Sequence, residues 1–375
     1  MTIKILHIIT KLQLGGAQLN TLYTDTNCDK KIFSSAIISG KGGILDSKYG
    51  NRILFSNYLS REINFFKELP AFFELRKMIK NVKPDIVHTH SSKAGILGRL
   101  AAFSAGVPVI IHTFHGFGFN PHQNFIKRSF FVILEKICAS VSDKLIFVSK
   151  DNMHLAEKLG IGNPEKRCLI RSGIKLSNYP AKVDPLAKRK ELSLPEKSRI
   201  IISVGNLKPQ KNPDDFLKIA ENIIPVTDNS VFLYVGGGNR LDYFQAQVRA
   251  KKLENRCMFL GWRNDIGELL AISDIFILTS LWEGLPRSLV EALKSGLVAV
   301  CYDTDGIKDI LRDNENGFLV KKGDIRAMCH RVKKLLDDDA LRKKMAEGAN
   351  LTELKEFDIR YMLRQLEDLY KLSKS

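Results

Sequence analysis

WEGLPRSLVEALKSGLVAV, residues 282 to 300, says more about this chain than any other stretch. The run before it, DIFILTS (274 to 280), is short, apolar and β-branched, and reads as a buried strand. A turn carrying Glu283 follows, and a helix opens at Pro286, where the absent N–H costs nothing because a first-turn amide has no intrahelical partner. Glu291 lies one to two turns into that helix, and Leu297 to Tyr302 reads as the next strand. Two carboxylates thus sit at one mouth of a strand-turn-helix unit. Between them an open helix N-terminus presents N–H groups and a partial positive charge, which suits a phosphate. Carboxylates on either side of a phosphate hold hydroxyl groups, so the arrangement suits a nucleotide-sugar.

The same alternation runs through the whole chain. In the first half, strands are expected at Ile3 to Ile9, Asp85 to Thr89, Val109 to Thr113 and Lys144 to Val148. In the second they are expected at Arg199 to Val204, Val231 to Val235, Cys257 to Leu260 and the two runs above. Helical patterns separate them, which argues for parallel, doubly wound sheets. NYPAKVDPLAKRKELSLPEK (178 to 197), with three prolines and many charges, reads as a linker leading into a short helix. The expectation is an α/β protein of two Rossmann-like domains facing across a cleft, residues 1–180 and 181–356, with a last helix at about 357–375.

At 375 residues, 44% hydrophobic and 26% charged, the chain has enough apolar content for two packed cores and excludes extended disorder. No apolar run approaches the roughly 20 residues of a spanning helix, and MTIKILHIITKL reads as a strand rather than a signal peptide, so a cytoplasmic protein is expected. Six cysteines without paired spacing read as idle thiols in a reducing compartment. The net charge of +17 is unevenly placed. Residues 1 to 180 hold 25 Lys or Arg against 12 Asp or Glu, a surplus of 13, which leaves 4 for the remainder. Basic residues are mixed with aromatics at near-helical spacing in residues 51–83 and 119–136. Such stretches suit an anionic membrane surface, or a helix that packs its Phe face on its own domain. Nucleic acid finds no module pattern here.

The Glu-x7-Glu spacing of Glu283 and Glu291 in this setting resembles the retaining family-4 glycosyltransferases of GT-B fold. The resemblance covers nearly the whole chain and implies that Glu283 contacts the donor sugar and Glu291 the nucleotide ribose, with Gly284 and Leu285 of the same turn at the donor. SVGNLKPQKNP (203 to 213) is similar to the family segment in which a Gly-Arg pair precedes a lysine. Lys211 falls on that lysine, which neutralises the donor diphosphate as the leaving group develops charge. Asn206 stands where the family has arginine, so a second cationic contact is missing unless Lys208 supplies it. Gly15 and Gly16, directly after the first strand, match the family's glycine pair, and the Gly16 N–H is expected at the diphosphate. The family's last helix crosses back to the first domain.

VHTHSSKAGILGR (87 to 99) and IIHTFHGF (110 to 117) place His88, His90, His112 and His115 at or just past strand ends. His115 matches the family histidine near donor sugar and acceptor. The other three read as hydrogen-bonded structural histidines. The first segment resembles a subgroup that builds bacterial capsule, O-antigen and exopolysaccharide, with Lys93 and Arg99 meeting an acceptor phosphate or solvating a helix face. Lys127 and Arg128 are the corresponding candidates on the membrane-facing stretch. Asp303-Thr304-Asp305 is formally an Asp-x-Asp metal motif, but before Ile307 to Leu311 it reads as a turn leading into a helix. The resemblance therefore implies a metal-independent enzyme without cofactor. Its donor is a UDP-sugar, its acceptor a polyprenyl-diphosphate-linked glycan, and its place the inner face of the cytoplasmic membrane. The alternative is a GT-B sugar-nucleotide epimerase. A nicotinamide enzyme is excluded, because neither Gly15-Gly16 nor Gly236-Gly237-Gly238 makes Gly-x-Gly-x-x-Gly.

Overall fold

The computed structural model describes residues 2–13, 15–60, 62, 65–119 and 123–374. Residues 61, 63, 64 and 120–122, which belong to the two basic aromatic stretches, lie outside that description. The chain divides into two compact units, Met1–Gly173 with Glu356–Ser375, and Ile174–Lys355. The first unit ends at Gly173, where the sequence reading set 180.

The first unit runs β1 (Ile3–Lys11), α1 (Gly16–Asn27), β2 (Phe33–Gly40), α2 (Asp46–Tyr49), β3 (Ile53–Ser56), α3 (Phe65–Val82), β4 (Ile86–His90), α4 (Ser92–Ala105), β5 (Val109–Phe114), α5 (Phe125–Ser140), β6 (Lys144–Phe147), α6 (Lys150–Leu159) and β7 (Arg167–Leu169). Its sheet has the order β3-β2-β1-β4-β5-β6-β7, and every pair is parallel. In the second unit α7 (Pro185–Glu191), β8 (Arg199–Val204), α8 (Pro213–Ile223), β9 (Ser230–Val235), α9 (Leu241–Ala250), β10 (Cys257–Phe259), α10 (Ile266–Ala271), β11 (Ile275–Leu278), α11 (Arg287–Lys294), β12 (Val298–Tyr302), β13 (Gly317–Val320), α12 (Ile325–Asp337) and α13 (Asp339–Leu351) follow one another. The parallel sheet here has the order β10-β9-β8-β11-β12-β13. The central strands read as unbroken apolar runs because helices cover both faces of such a sheet. In β9, β11 and β12 every residue is buried.

The last helix, α14 (Ile359–Lys374), belongs to the first unit although it ends the chain. Its buried face, Ile359, Met362, Leu363, Leu366 and Tyr370, repeats at helical spacing and packs with Ile5, Ile86, Ile111 and Ile146 of β1, β4, β5 and β6.

Two expectations are corrected. Residues 51–83 are not helical throughout: Ile53–Ser56 is strand β3, paired with β2, and the helix begins at Phe65. Ile307 to Leu311 forms no helix, because a succession of turns follows Asp305 instead.

Candidate active site

Each sheet changes direction once, between β1 and β4 in the first unit and between β8 and β11 in the second. Loops leaving adjacent strands at such a point diverge to opposite sides of the sheet, and the gap at the carboxyl ends is where open α/β sheets bind ligands. Because β8 and β11 are paired neighbours there, Lys211, after β8, can meet Glu283, after β11. Lys211 Nζ lies 2.5 Å from Glu283 Oε1, and Glu283 is buried. Backbone and side-chain bonds tie the two loops together. Leu281 N–H donates to Gln210 O at 2.8 Å, Gln210 Nε2 donates to Trp282 O at 2.9 Å, and Thr279 Oγ1 donates to Asn212 O at 2.9 Å. Gly236, with φ of +142°, follows β9, and a Cβ there would stand 2.0 Å from Gly205 O, so only glycine lets the loops approach.

Helix α11 opens beside this pair. Pro286 is its N-cap and contributes no side-chain acceptor. Gly284 and Leu285 are buried in the turn that leads to it. Half-buried Glu291 accepts from the Tyr179 hydroxyl and lies one helical turn beyond Arg287. Burial pushes its carboxyl above the usual range, while Arg287, Tyr179 and Lys211 pull it back. Arg287 is held below the ordinary arginine range by burial, with Glu291 and Tyr179 opposing the shift. Neither Arg287 nor Tyr179 was found by sequence reasoning. Arg287 lay in the most informative stretch, one turn before a recognised carboxylate, whereas Tyr179 came from the linker and carried no local signal.

Four buried polar atoms without hydrogen-bond partners among the described residues gather at the same carboxyl ends: Asn206 Oδ1, Ser280 Oγ, Ser288 Oγ and Thr304 Oγ1. Buried polar groups are normally satisfied, and those left open at a mouth are what a polar ligand fills. Lys208 stands just before the 3-10 turn Pro209–Lys211. Asp303 turns its carboxylate to Lys308 Nζ at 3.0 Å.

In the first unit Gly15 is the N-cap of α1 and Gly16 its first residue, so the glycine pair sits at the mouth of β1. Ser91, the N-cap of α4, has φ of +64°, a left-handed backbone for a residue with a side chain. Its hydroxyl lies 2.7 Å from Thr10 Oγ1, which joins the ends of β1 and β4. His88 bonds Tyr370 Oη through Nδ1 and Thr113 Oγ1 through Nε2, both at 2.7 Å, and so fastens α14 to the sheet. His112, on the opposite face, bonds Thr89 Oγ1 at 2.9 Å. His115 is half-buried just past β5. One ring nitrogen each of His7, His88 and His90 lie within 4.8 Å of one another, a spacing at which a metal could be held. Five of their six ring nitrogens already have hydrogen-bond partners, so a metal would have to displace those bonds.

The acceptor candidates part company. Lys93 pairs with Glu68 at 2.7 Å, and Lys127 is exposed on α5 with Arg128 half-buried beside it. Arg99 is a correction: it is wholly buried against Glu135, 2.5 Å away, and reaches no surface where an acceptor phosphate could meet it.

Comparison with known proteins places the chain in a family. Residues 186–352 match the model of the glycosyl transferases group 1, and residues 38–178 match glycosyltransferase family 4. The chain is 34% identical over 377 residues to an Escherichia coli UDP-Gal:alpha-D-GlcNAc-diphosphoundecaprenol alpha-1,3-galactosyltransferase, covering 98% of this chain and 96% of that one. It is 28% identical over 310 residues, 80% of each chain, to a Campylobacter jejuni N,N'-diacetylbacillosaminyl-diphospho-undecaprenol alpha-1,3-N-acetylgalactosaminyltransferase. Anabaena HepE, solved with UDP and glucose, has the same fold, with a TM-score of 0.83 at 19% identity over 99% of this chain and 100% of that one. Sucrose-phosphate synthase from Thermosynechococcus elongatus gives 0.84 at 16% identity over 99% and 98%. With its two parallel-sheet units and full-length kinship to the galactosyltransferase, this chain belongs to the family-4 glycosyltransferases and has their GT-B fold.

Proposed function

We propose that the protein transfers a sugar from a UDP-sugar to a polyprenyl-diphosphate-linked glycan, with retention at the anomeric carbon and without a metal. The observation that carries this reading is the pair of Lys211 with buried Glu283 beside the α11 N-terminus. An ammonium has three N–H donors, so Lys211 can keep Glu283 and still bind a diphosphate oxygen. Glu283 orients sugar hydroxyls, Glu291 takes the ribose hydroxyls, and His115 lines the reacting face. The glycosidic C–O bond to the diphosphate breaks as the acceptor oxygen bonds the same face of the anomeric carbon. The acceptor proton passes to the departing phosphate oxygen, so no side chain serves as a covalent nucleophile. Two relatives whose names specify diphospho-undecaprenol substrates support the acceptor class.

The test is transfer from a panel of UDP-, GDP- and dTDP-sugars to a synthetic polyprenyl-diphosphate-linked monosaccharide, with and without EDTA. Chelator-resistant product from one UDP-sugar, with an α linkage from an α-linked donor, is expected. An isomerised sugar-nucleotide formed without acceptor would establish an epimerase instead.

The acceptor lies in a bilayer, and the first unit has a face suited to one. On α5 the side chains of Phe125 and Ile126 are 79% and 77% exposed, and Phe130, Ile133 and Ile137 continue the outward stripe. On α3, Phe66 is 91% exposed, with Leu69 and Phe73 on the same side. Among the described residues no helix is long and apolar enough to cross a membrane. An outward apolar stripe with Lys127 and Arg128 beside it matches the interfacial mode of binding to anionic lipid. Burying such a side chain is worth about 1.5–3 kcal/mol, so Phe125→Ser with Ile126→Ser should weaken sedimentation with phosphatidylglycerol vesicles by at least about 100-fold. Unchanged sedimentation would remove α5 from the interface.

A further inference from the structure

His7 on β1 is the register partner of His88 on β4, and His90 lies two residues further along the same face. From this group a row of imidazoles leads to the mouth of the sheet. His7 Nδ1 lies 3.1 Å from His90 Nε2, and His90 Nδ1 lies 3.4 Å from His115 Nε2. His7 and His90 are buried, at 1% and 5% exposure, and the far nitrogen of His7, Nε2, is buried without a partner. Burial holds His7 down to about 3 and His90 well below the ordinary histidine value, so both rings are neutral.

A neutral imidazole has one N–H and one lone pair. With the half-buried His115 also in its neutral form, a row of three such rings joined nitrogen to nitrogen has only two arrangements. In the first, every Nδ1 carries the proton: His7 donates to His90, His90 donates to His115, and His7 Nε2 is a bare lone pair. In the second, every Nε2 carries it, and the His7 Nε2–H is buried with nothing to accept it. Buried N–H groups left orphaned are rarer than under-satisfied acceptors, which selects the first arrangement.

We propose that His7 and His90 are positioning residues that fix the tautomer of His115, keeping its proton on Nδ1 and its Nε2 lone pair occupied by the His90 N–H. This rests on the reading of His115 as a residue of the reacting face. In that tautomer the His115 Nδ1 is a hydrogen-bond donor and cannot take a proton. The acceptor proton is left to the departing phosphate.

The test is long-range proton–nitrogen correlation on the full-length protein labelled with 15N-histidine, assigned with single His→Gln variants. His7, His90 and His115 should all show a protonated Nδ1 and a bare Nε2, and a protonated Nε2 on His115 would overturn the proposal. Two variants give a second arm: His7→Asn keeps an amide N–H near the Nδ1 position, and His7→Phe keeps a ring without the donor. His7→Asn should preserve the His115 tautomer and transfer. His7→Phe should mix the tautomers and lower kcat by about 10-fold or more, as lost supporting hydrogen bonds do elsewhere. An unaltered His115 signal in folded His7→Phe would also overturn the proposal, and if that variant does not fold, the wild-type spectrum decides. The underlying reading fails separately: undiminished transfer by His115→Ala would remove His115 from the site whatever its tautomer.

Discussion

A Lys211→Met variant should lose transfer by at least about a hundredfold and should also melt earlier, and the two losses have different causes. Catalytically, it removes the cation that the proposed function sets against the charge of the leaving diphosphate, an effect of about 10²–10³ for one electrostatic donor in a preorganised site. Structurally, it removes the cation paired with Glu283. The Glu283 side chain is 5% exposed and its carboxylate lies 2.5 Å from Lys211 Nζ, so the variant takes the lysine counter-charge from a buried carboxylate, at about 3–5 kcal/mol. The reverse variant is milder for stability. Glu283→Ala leaves a lysine that is 16% exposed on a flexible stem and can reach water, so the protein should stay folded while transfer is abolished. The double variant Lys211→Met with Glu283→Gln should recover most of the urea midpoint lost by Lys211→Met and none of the activity. Initial rates and urea titrations on the four proteins separate these effects. Transfer within about threefold of wild type in folded Lys211→Met would exclude the leaving-group role assigned by electrostatic preorganisation.

The residues of that pair were legible because each lies where a strand ends. Strands such as Ile275–Leu278 and Val298–Tyr302 are buried on both faces, announce themselves as apolar runs, and so locate the loops after them. Strands β2, β3, β7 and β13, at or next to a sheet margin, were not legible, although the edge strand β10 was expected at Cys257 to Leu260. β2 is FSSAIISG, with three serines interrupting its apolar pattern; β7 has three residues, and β13 four beginning at a glycine. β3 was hidden inside a stretch whose basic and aromatic residues suggested a helical surface. Tertiary pairings escaped for a related reason. Tyr179 reaches Glu291 from more than a hundred residues away, and the row from His7 to His115 draws on β1, β4 and the end of β5. A sequence shows each histidine but not that parallel register brings them together.

Arg99 was misread for want of its partner, and its partner supplies the sharpest stability prediction. The arginine interrupts the apolar run AGILGRLAA, and Glu135 interrupts FFVILEK in the same way. A lone charge in a segment apolar on all sides points inward and needs a counter-charge there. The structure provides it, with Arg99 Nη2 2.5 Å from Glu135 Oε2, Arg99 Nε donating to Gly95 O at 2.8 Å, and the guanidinium over the Phe114 ring. The pair joins α4 to α5, and with side-chain exposures of 0% and 3% neither member can be removed cheaply. Arg99→Met or Glu135→Leu alone should destabilise the protein by about 3–5 kcal/mol, because each leaves the other charge buried and unpaired. Both together should be far milder, since apolar residues of similar volume replace two desolvated ions and Arg99 Nη1 already lacks a partner. Urea midpoints of the three variants measure this coupling, and additive losses would contradict it. Activity then decides the role. If the stable double variant transfers sugar as wild type does, Arg99 serves the packing of α4 on α5. A stable double variant without transfer would instead return Arg99 to the acceptor site, against its burial in the structure.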